Sequence, residues 1–178
     1  MKPLRIGLLG IGTVGGGTFE VLTRNAEEIS RRAGRPITIT HVADKDTALA
    51  NKVVAGRAII TDDAFALVKN PDIDVIIELI GGYTIAKLLM LEAIANGKHV
   101  VTANKALLAL HGNEIFAAAR AKGVIVAFEA AVAGGIPIIK ALREGLVANR
   151  IEWIAGIING TTNFFPRCAA KACRLRKC

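Results

Sequence analysis

Gly10, Gly12 and Gly15, in the run Gly10-Ile11-Gly12-Thr13-Val14-Gly15, have the G-x-G-x-x-G spacing that lets a main chain wrap around a pyrophosphate. The first glycine makes a tight turn, the second lets a phosphate approach the backbone, and the third lets a helix pack closely on the preceding strand. Amides at the helix start, those of Thr13 and Val14 among them, have no partner within the helix and would face the phosphates. The alternative is a glycine-rich turn without a ligand. In such a unit an acidic residue after the second strand hydrogen-bonds an adenosine ribose, and Asp44 is the best match. Lys45 beside it could attract a 2′-phosphate, so the pair reads as NAD with NADP tolerated. A solvated helix cap is the other reading of Asp44.

The elements around these residues alternate. Residues 4–9 are an apolar run ending in glycine, as in a strand buried on both faces, and residues 13–32 carry one long helical pattern. Gly34 closes that helix, Pro36 follows, and residues 37–43 read as a second strand. The pattern weakens over residues 47–70, with a short strand at 58–60 and a helix from Asp62 or Asp63. Residues 74–80 are again a buried strand, ended by Gly81-Gly82, and a helix over 84–95 stops at Asn96-Gly97. A strand at 98–102, a helix at 106–122 and a strand at 124–128 complete the alternation. The expected fold class is α/β, a Rossmann-type doubly wound, mostly parallel sheet with crossover helices. Pro137 then opens a helix in which Ile138, Ile139, Leu142 and Leu146 share a face, and residues 151–158 read as the first strand of a second domain. The expected division is 1–130 for dinucleotide binding, 131–163 for the incomplete start of a substrate and dimerisation domain, and 164–178 for an aberrant tail.

Composition narrows the classes. With 178 residues, 52% hydrophobic and 4% aromatic, the chain suits an aliphatic sheet covered by helices. Five basic residues (Arg167, Lys171, Arg174, Arg176, Lys177) lie in the final segment, and removing them from the net charge of +8 leaves +3, no argument for a nucleic-acid partner. All three cysteines lie there too, as Cys168, Cys173 and Cys178, without the close pairing of zinc sites. The segment reads as the product of a shifted reading frame or an artificial junction, with a genuine basic terminus as the alternative. No apolar run approaches the roughly 18 residues of a membrane span, and no leader is recognisable, so a cytoplasmic protein is expected. His41, His99 and His111 are scattered and read as structural.

Four segments together resemble homoserine dehydrogenases: Glu78-Leu79-Ile80-Gly81-Gly82, GKHVVTANKALLA over 97–109, FEAAVAGGIP over 128–137, and GIINGTTN over 156–163. They occur in that family's order and cover nearly all of the chain before residue 164. Thr84-Ile85-Ala86 departs from the family's more usual Pro-Ala helix start. The resemblance implies reversible reduction of aspartate 4-semialdehyde to homoserine with NAD or NADP as cofactor, on the way to threonine and methionine, and a homodimer for the full-length family. It also implies a substrate domain that continues well past residue 163 and carries a second catalytic lysine.

The residues support such chemistry to a degree. Hydride addition to an aldehyde leaves an alkoxide that needs a cation or acid beside it. Lys105 follows the strand at 98–102, at the carboxyl edge of the sheet where these folds bind ligands, and by resemblance it reaches nicotinamide and substrate as the catalytic residue. A merely solvated lysine is disfavoured there, since helix N-termini repel cations. Thr102 and Asn104 share that edge and are expected to position the nicotinamide ribose or carboxamide, with helix capping as their other role. By resemblance, Glu129 and the carbonyls of Val132, Gly134 and Ile136 form a loop for a monovalent cation, Na or K, while Asn159, Gly160, Thr161 and Thr162 line the substrate pocket. Two other functions compete. Semialdehyde oxidation through a thioester needs a core cysteine, and none precedes Cys168. A catalytically incompetent NAD(P)-binding module would bind cofactor without turnover.

Overall fold

The computed structural model describes residues 1–155. Strands β1 (Leu4–Leu9), β2 (Ile37–Ala43), β3 (Ile59–Thr61), β4 (Val75–Glu78), β5 (His99–Thr102) and β6 (Val126–Ala127) form one sheet in the order β3-β2-β1-β4-β5-β6. Every pairing is parallel. Parallel neighbours need long crossovers, and helices α1 (Thr13–Arg24), α2 (Ala26–Ala33), α3 (Thr47–Val54), α4 (Ala64–Lys69), α5 (Thr84–Ala95) and α6 (Lys105–Lys122) supply them. This is the Rossmann order, in which the chain reverses direction of travel between β1 and β4 and opens a crevice at their carboxyl ends. The chain divides into two compact units, Met1–Ile139 and Lys140–Cys178, and the whole sheet belongs to the first.

The central strands are covered on both faces, which is why residues 6–9 of β1 and 75–77 of β4 are continuous apolar runs rather than alternating ones. On one face Ile6, Leu8, Val75 and Ile77 pack with Ile11, Phe19, Ile39, Val42, Ala50 and Val54. On the other, Leu9, Ile76 and Val100 pack with Leu67, Leu89, Met90, Ile94, Leu107 and Ile115. Each large side chain so buried contributes about 1.5–3 kcal/mol, enough in aggregate to hold the strand ends in place.

Several boundaries differ from the expected ones for local reasons. The single helix over 13–32 is two helices, because Asn25 leaves helical geometry (φ −103°, ψ 21°) while its amide still donates to Val21 O. Asparagine competes with the helix for its own backbone and suits such a junction. Helix α3 forms where the sequence pattern is weak; Asp46 caps it by accepting from the Leu49 amide (2.9 Å), and it buries Ala50 and Val54, one turn apart. Strand β4 stops at Glu78 because that side chain takes the Ile80 amide away from the ladder. Strand β6 is short because the Ile125 amide donates to His99 Nδ1 (3.0 Å). The helix expected after Pro137 is one α-helical turn, Ile138–Lys140, followed by a π-helical turn, Ala141–Gly145, and neither buries a side chain that could fix its register. Residues 151–155 pair with no strand among the described residues, and the rest of the strand expected over 151–158 lies outside them.

At the amino edge of the sheet, the Arg5 amide donates to Asp74 Oδ2 (2.8 Å), and the Arg5 guanidinium lies 3.5 Å from the same oxygen. Burial raises the Asp74 pKa, but the Arg5 hydrogen bonds and charge, with help from Lys2, outweigh it and leave the carboxyl below its ordinary 3.8. A depressed folded-state value means that stability from this group is complete above 3.8 and is lost as pH falls through the folded value. Thermal melts across pH 2.5 to 6 should therefore show Asp74→Asn less stable than wild type at the upper end, with the two converging below about 3.8. A gap that stays constant with pH would mean that the charge of Asp74 does not contribute. Nearby, Lys98 is buried, donates to the carbonyls of Asn70 and Ile73, and is pushed below its ordinary 10.5 by that burial.

Candidate cofactor site at the carboxyl edge of the sheet

The turn between β1 and α1 is built as its glycines require. Gly10 has φ +91°, and a Cβ there would meet Leu79 O at 2.8 Å. A Cβ on Gly15 would stand 2.0 Å from Gly10 O, so only glycine lets α1 approach the turn this closely. Gly12 differs: a Cβ there meets nothing within 4 Å, so its place faces open space. Gly12 is also the N-cap of α1, makes no side-chain cap, and is followed by a first turn without acidic residues. The amides of Thr13 and Val14 thus begin a helix with no side-chain cap and no acidic residue in its own first turn, a suitable seat for phosphate.

Asp44 directly follows β2 and joins this turn. Its Oδ2 accepts from the Ile11 amide (2.6 Å), and its Oδ1 accepts from the Asp46 amide (2.8 Å). Each carboxylate oxygen has a second lone pair, so the capping role and ribose recognition are compatible. Gly10, Gly12 and Asp44 line one cavity of about 380 Å³ together with the charged Lys45 and Asp62 and the apolar Ala43, Ala64, Leu79, Ile80, Ile85 and Leu89. That size and mixture suit a nucleoside. Lys45 Nζ donates to the Asp62 carbonyl (3.1 Å).

The next strand end holds the second group, none of which lines that cavity. Thr102 is buried; its hydroxyl donates to Glu78 Oε2 (2.7 Å) and accepts from the Asn104 amide (3.0 Å). Asn104 caps α6 by accepting from the Leu107 amide (3.1 Å) and donates through Nδ2 to Gly82 O. With these side chains turned inward, what Thr102 and Asn104 fix is the path of the loop. Lys105 is the first residue of α6, exposed, and forms no ion pair among the described residues.

Glu129 begins a 3-10 turn, Glu129–Ala131, and its Oε1 accepts from the Ile139 amide (2.8 Å). Val132, Gly134 and Ile136 follow on an exposed bend where Ala133 and Gly134 adopt positive φ. Asn159, Gly160, Thr161 and Thr162 lie outside the described residues. Sequence reasoning gives no site role to Glu78, which is fully buried, or to Asp62. The signal for Glu78 was available: an acidic residue closing an apolar strand immediately before a loop with two glycines. Among the described residues no helix is long and apolar enough to cross a membrane.

A family model described as "Homoserine dehydrogenase, NAD binding domain" matches residues 10–129, and a second, described as "Homoserine dehydrogenase", matches residues 137–172. The chain belongs to the homoserine dehydrogenase family. The homoserine dehydrogenase of Pseudomonas aeruginosa is 67% identical over 164 residues, covering 92% of this chain and 37% of that protein. That of Bacillus subtilis is 43% identical over 164 residues, with 92% of this chain and 38% of that protein covered. A crystal structure of a homoserine dehydrogenase from Thiobacillus denitrificans superposes with a TM-score of 0.86 at 65% identity, covering 92% of this chain and 38% of the other. The S. aureus homoserine dehydrogenase structure at pH 7.5 gives 0.68 at 34% identity, with 74% and 34% covered. This chain therefore spans less than two fifths of the length of these homoserine dehydrogenases. Gly10, Gly12, Gly15, Asp44, Thr102 and Lys105 all fall within the stretch matched by the NAD-binding domain.

Proposed function

We propose that this chain supplies the cofactor-binding part of a homoserine dehydrogenase that reversibly reduces aspartate 4-semialdehyde to homoserine. The observation that carries the reading is the open approach at Gly12, beside an uncapped helix start and opening on the cavity that Asp44 shares. A bound dinucleotide would supply the hydride that adds to the aldehyde carbon. As that C–H bond forms, the carbonyl π pair moves to oxygen, and Lys105 neutralises the alkoxide and delivers its proton. Thr102 and Asn104 set the loop that carries Lys105. Asn159, Gly160, Thr161 and Thr162 hold the substrate on the strength of the family resemblance. The cation loop is a partial fit. The carbonyls of Val132 and Gly134 accept no hydrogen bond among the described residues, while that of Ile136 accepts from the Ile138 amide (2.8 Å). Oxygen donors of this kind suit Na⁺ or K⁺ beside Glu129. We place this activity in threonine and methionine synthesis, in the cytoplasm and in a homodimer.

Fluorescence titration with NADH, followed by an assay for homoserine oxidation, tests this reading. Binding with turnover supports the whole proposal; binding alone reduces the chain to an NAD(P)-binding module; no binding overturns it. The same titration decides coenzyme choice. Asp44 repels a 2′-phosphate and can accept a ribose hydroxyl, whereas Lys45 favours the phosphate. In Asp44→Ala the gap between the NADH and NADPH dissociation constants should shrink by about 1 kcal/mol, roughly fivefold. Loosening of the turn by loss of the Ile11 bond acts on both ligands and cancels in the ratio. A ratio that does not move would leave Asp44 as a cap alone.

A further inference from the structure

Glu78 is fully buried at the end of β4 and forms no ion pair among the described residues. An isolated buried carboxylate is costly unless hydrogen bonds satisfy it, and at a site with no positive partner its retention calls for a purpose. Its bonds show one. Oε1 accepts from the Ile80 amide (2.9 Å) and from the Gly81 amide (3.4 Å), gripping the loop after β4. Oε2 accepts from the Thr102 hydroxyl, its direct neighbour in register on β5. Thr102 then orders the Asn104 amide, and Asn104 bonds back to Gly82 while capping α6. The result is a closed ring, from Glu78 through the 80–82 loop to Asn104 and Thr102 and back. The residue next to Asn104 is Lys105.

We propose that Glu78 is a positioning residue for the reaction: its carboxylate locks the loop after β4 to the loop after β5, and so fixes where α6 begins and where Lys105 stands. This rests on the reading of Lys105 as the group that meets the alkoxide. The carboxylate form is specifically needed. Two amides and one hydroxyl all donate to Glu78, which a carboxylate accepts with both oxygens, whereas an amide has only one accepting oxygen. A Gln at 78 would keep the shape but point its NH₂ at Thr102, leaving the Thr102 O–H without an acceptor.

The test is made at the matching positions of a full-length family enzyme, with kcat, the NADH dissociation constant and melting temperature measured together. Glu78→Gln should lower kcat about 10-fold or more while the NADH constant moves less than about threefold, because Ile80 alone of this ring lines the cavity and the Gln carbonyl oxygen can still accept from its amide. Thr102→Val should lower kcat similarly, with Thr102→Ser recovering most of the loss; this pair carries the test if Glu78→Gln does not fold. The double variant Glu78→Gln, Thr102→Val should lose no more than the worse single one, as expected for two members of one chain of bonds. Near-normal kcat in Glu78→Gln and in Thr102→Val would overturn the proposal. So would an equal loss of kcat, NADH affinity and melting temperature, which marks a merely structural residue. Failure of the parent reading is seen separately, as a Lys105 variant that keeps its activity while Glu78→Gln loses it.

Discussion

Lys105→Ala, introduced at the matching position of a full-length family enzyme, should lower kcat by on the order of 100-fold or more, the usual cost of removing a positioned acid or cation from a site of developing negative charge. The melting temperature should be unchanged or slightly raised. Lys105 is exposed at the first position of α6, where a cation opposes the positive end of the helix, and alanine is the better helix former. A structural residue would show the opposite balance. The assay is steady-state homoserine oxidation with saturating cofactor beside a thermal melt. Near-normal kcat would reduce Lys105 to a solvated charge and remove the main residue-level argument for catalysis.

The glycines of the first turn should separate folding from binding. Gly15→Ala places a Cβ 2.0 Å from Gly10 O, and a backbone carbonyl cannot yield without moving β1 or α1. Overpacking of this kind costs about 3 kcal/mol, at the upper end of the usual range. A Cβ at Gly12 meets no protein atom within 4 Å and the φ there is −58°, so the melt of Gly12→Val should lie close to wild type. The added methyls would instead stand in the phosphate approach. Losing one charge-assisted hydrogen bond of about 2 kcal/mol there predicts NADH binding weakened at least 30-fold. Calorimetric titration of both variants, each with its unfolding curve, checks the pair. A folded Gly12→Val protein with unchanged NADH affinity would place the pyrophosphate elsewhere.

What the sequence revealed of this molecule follows from how local each determinant is. Alternating strand and helix patterns, with Gly10, Gly12 and Gly15 between the first two, specified the parallel sheet, because the period of burial and the turn chemistry are written in neighbouring residues. Strand β2 and helix α5 fall where the pattern put them. Boundaries failed where a side chain takes a backbone group from the regular ladder: Glu78 at the Ile80 amide and His99 at the Ile125 amide. Such bonds join elements far apart in sequence or compete within a turn, and periodicity does not encode them. For the candidate site, the grouping of Gly10, Gly12 and Asp44 around one cavity was legible, because glycine spacing and a strand-end acid are themselves the signal. The ring through Glu78, Thr102 and Asn104 was not, since it depends on β4 and β5 being neighbours in register.

The cavity beside Gly10 and Asp44 has a lopsided construction with an evolutionary consequence if it holds the nucleoside, as proposed. Much of its wall is apolar or main-chain and is shared with the core, whereas Lys45 and Asp62 are exposed and touch each other only through the Asp62 carbonyl. Asp44 is less free, because it also ties down the Ile11 and Asp46 amides. Drift toward a different redox pool, from a catabolic dinucleotide to a biosynthetic one or back, therefore has cheap single-step routes through positions 45 and 62 and an expensive one through 44. On the proposed reading, a lineage carrying this scaffold could change its coenzyme through exposed positions without disturbing its fold.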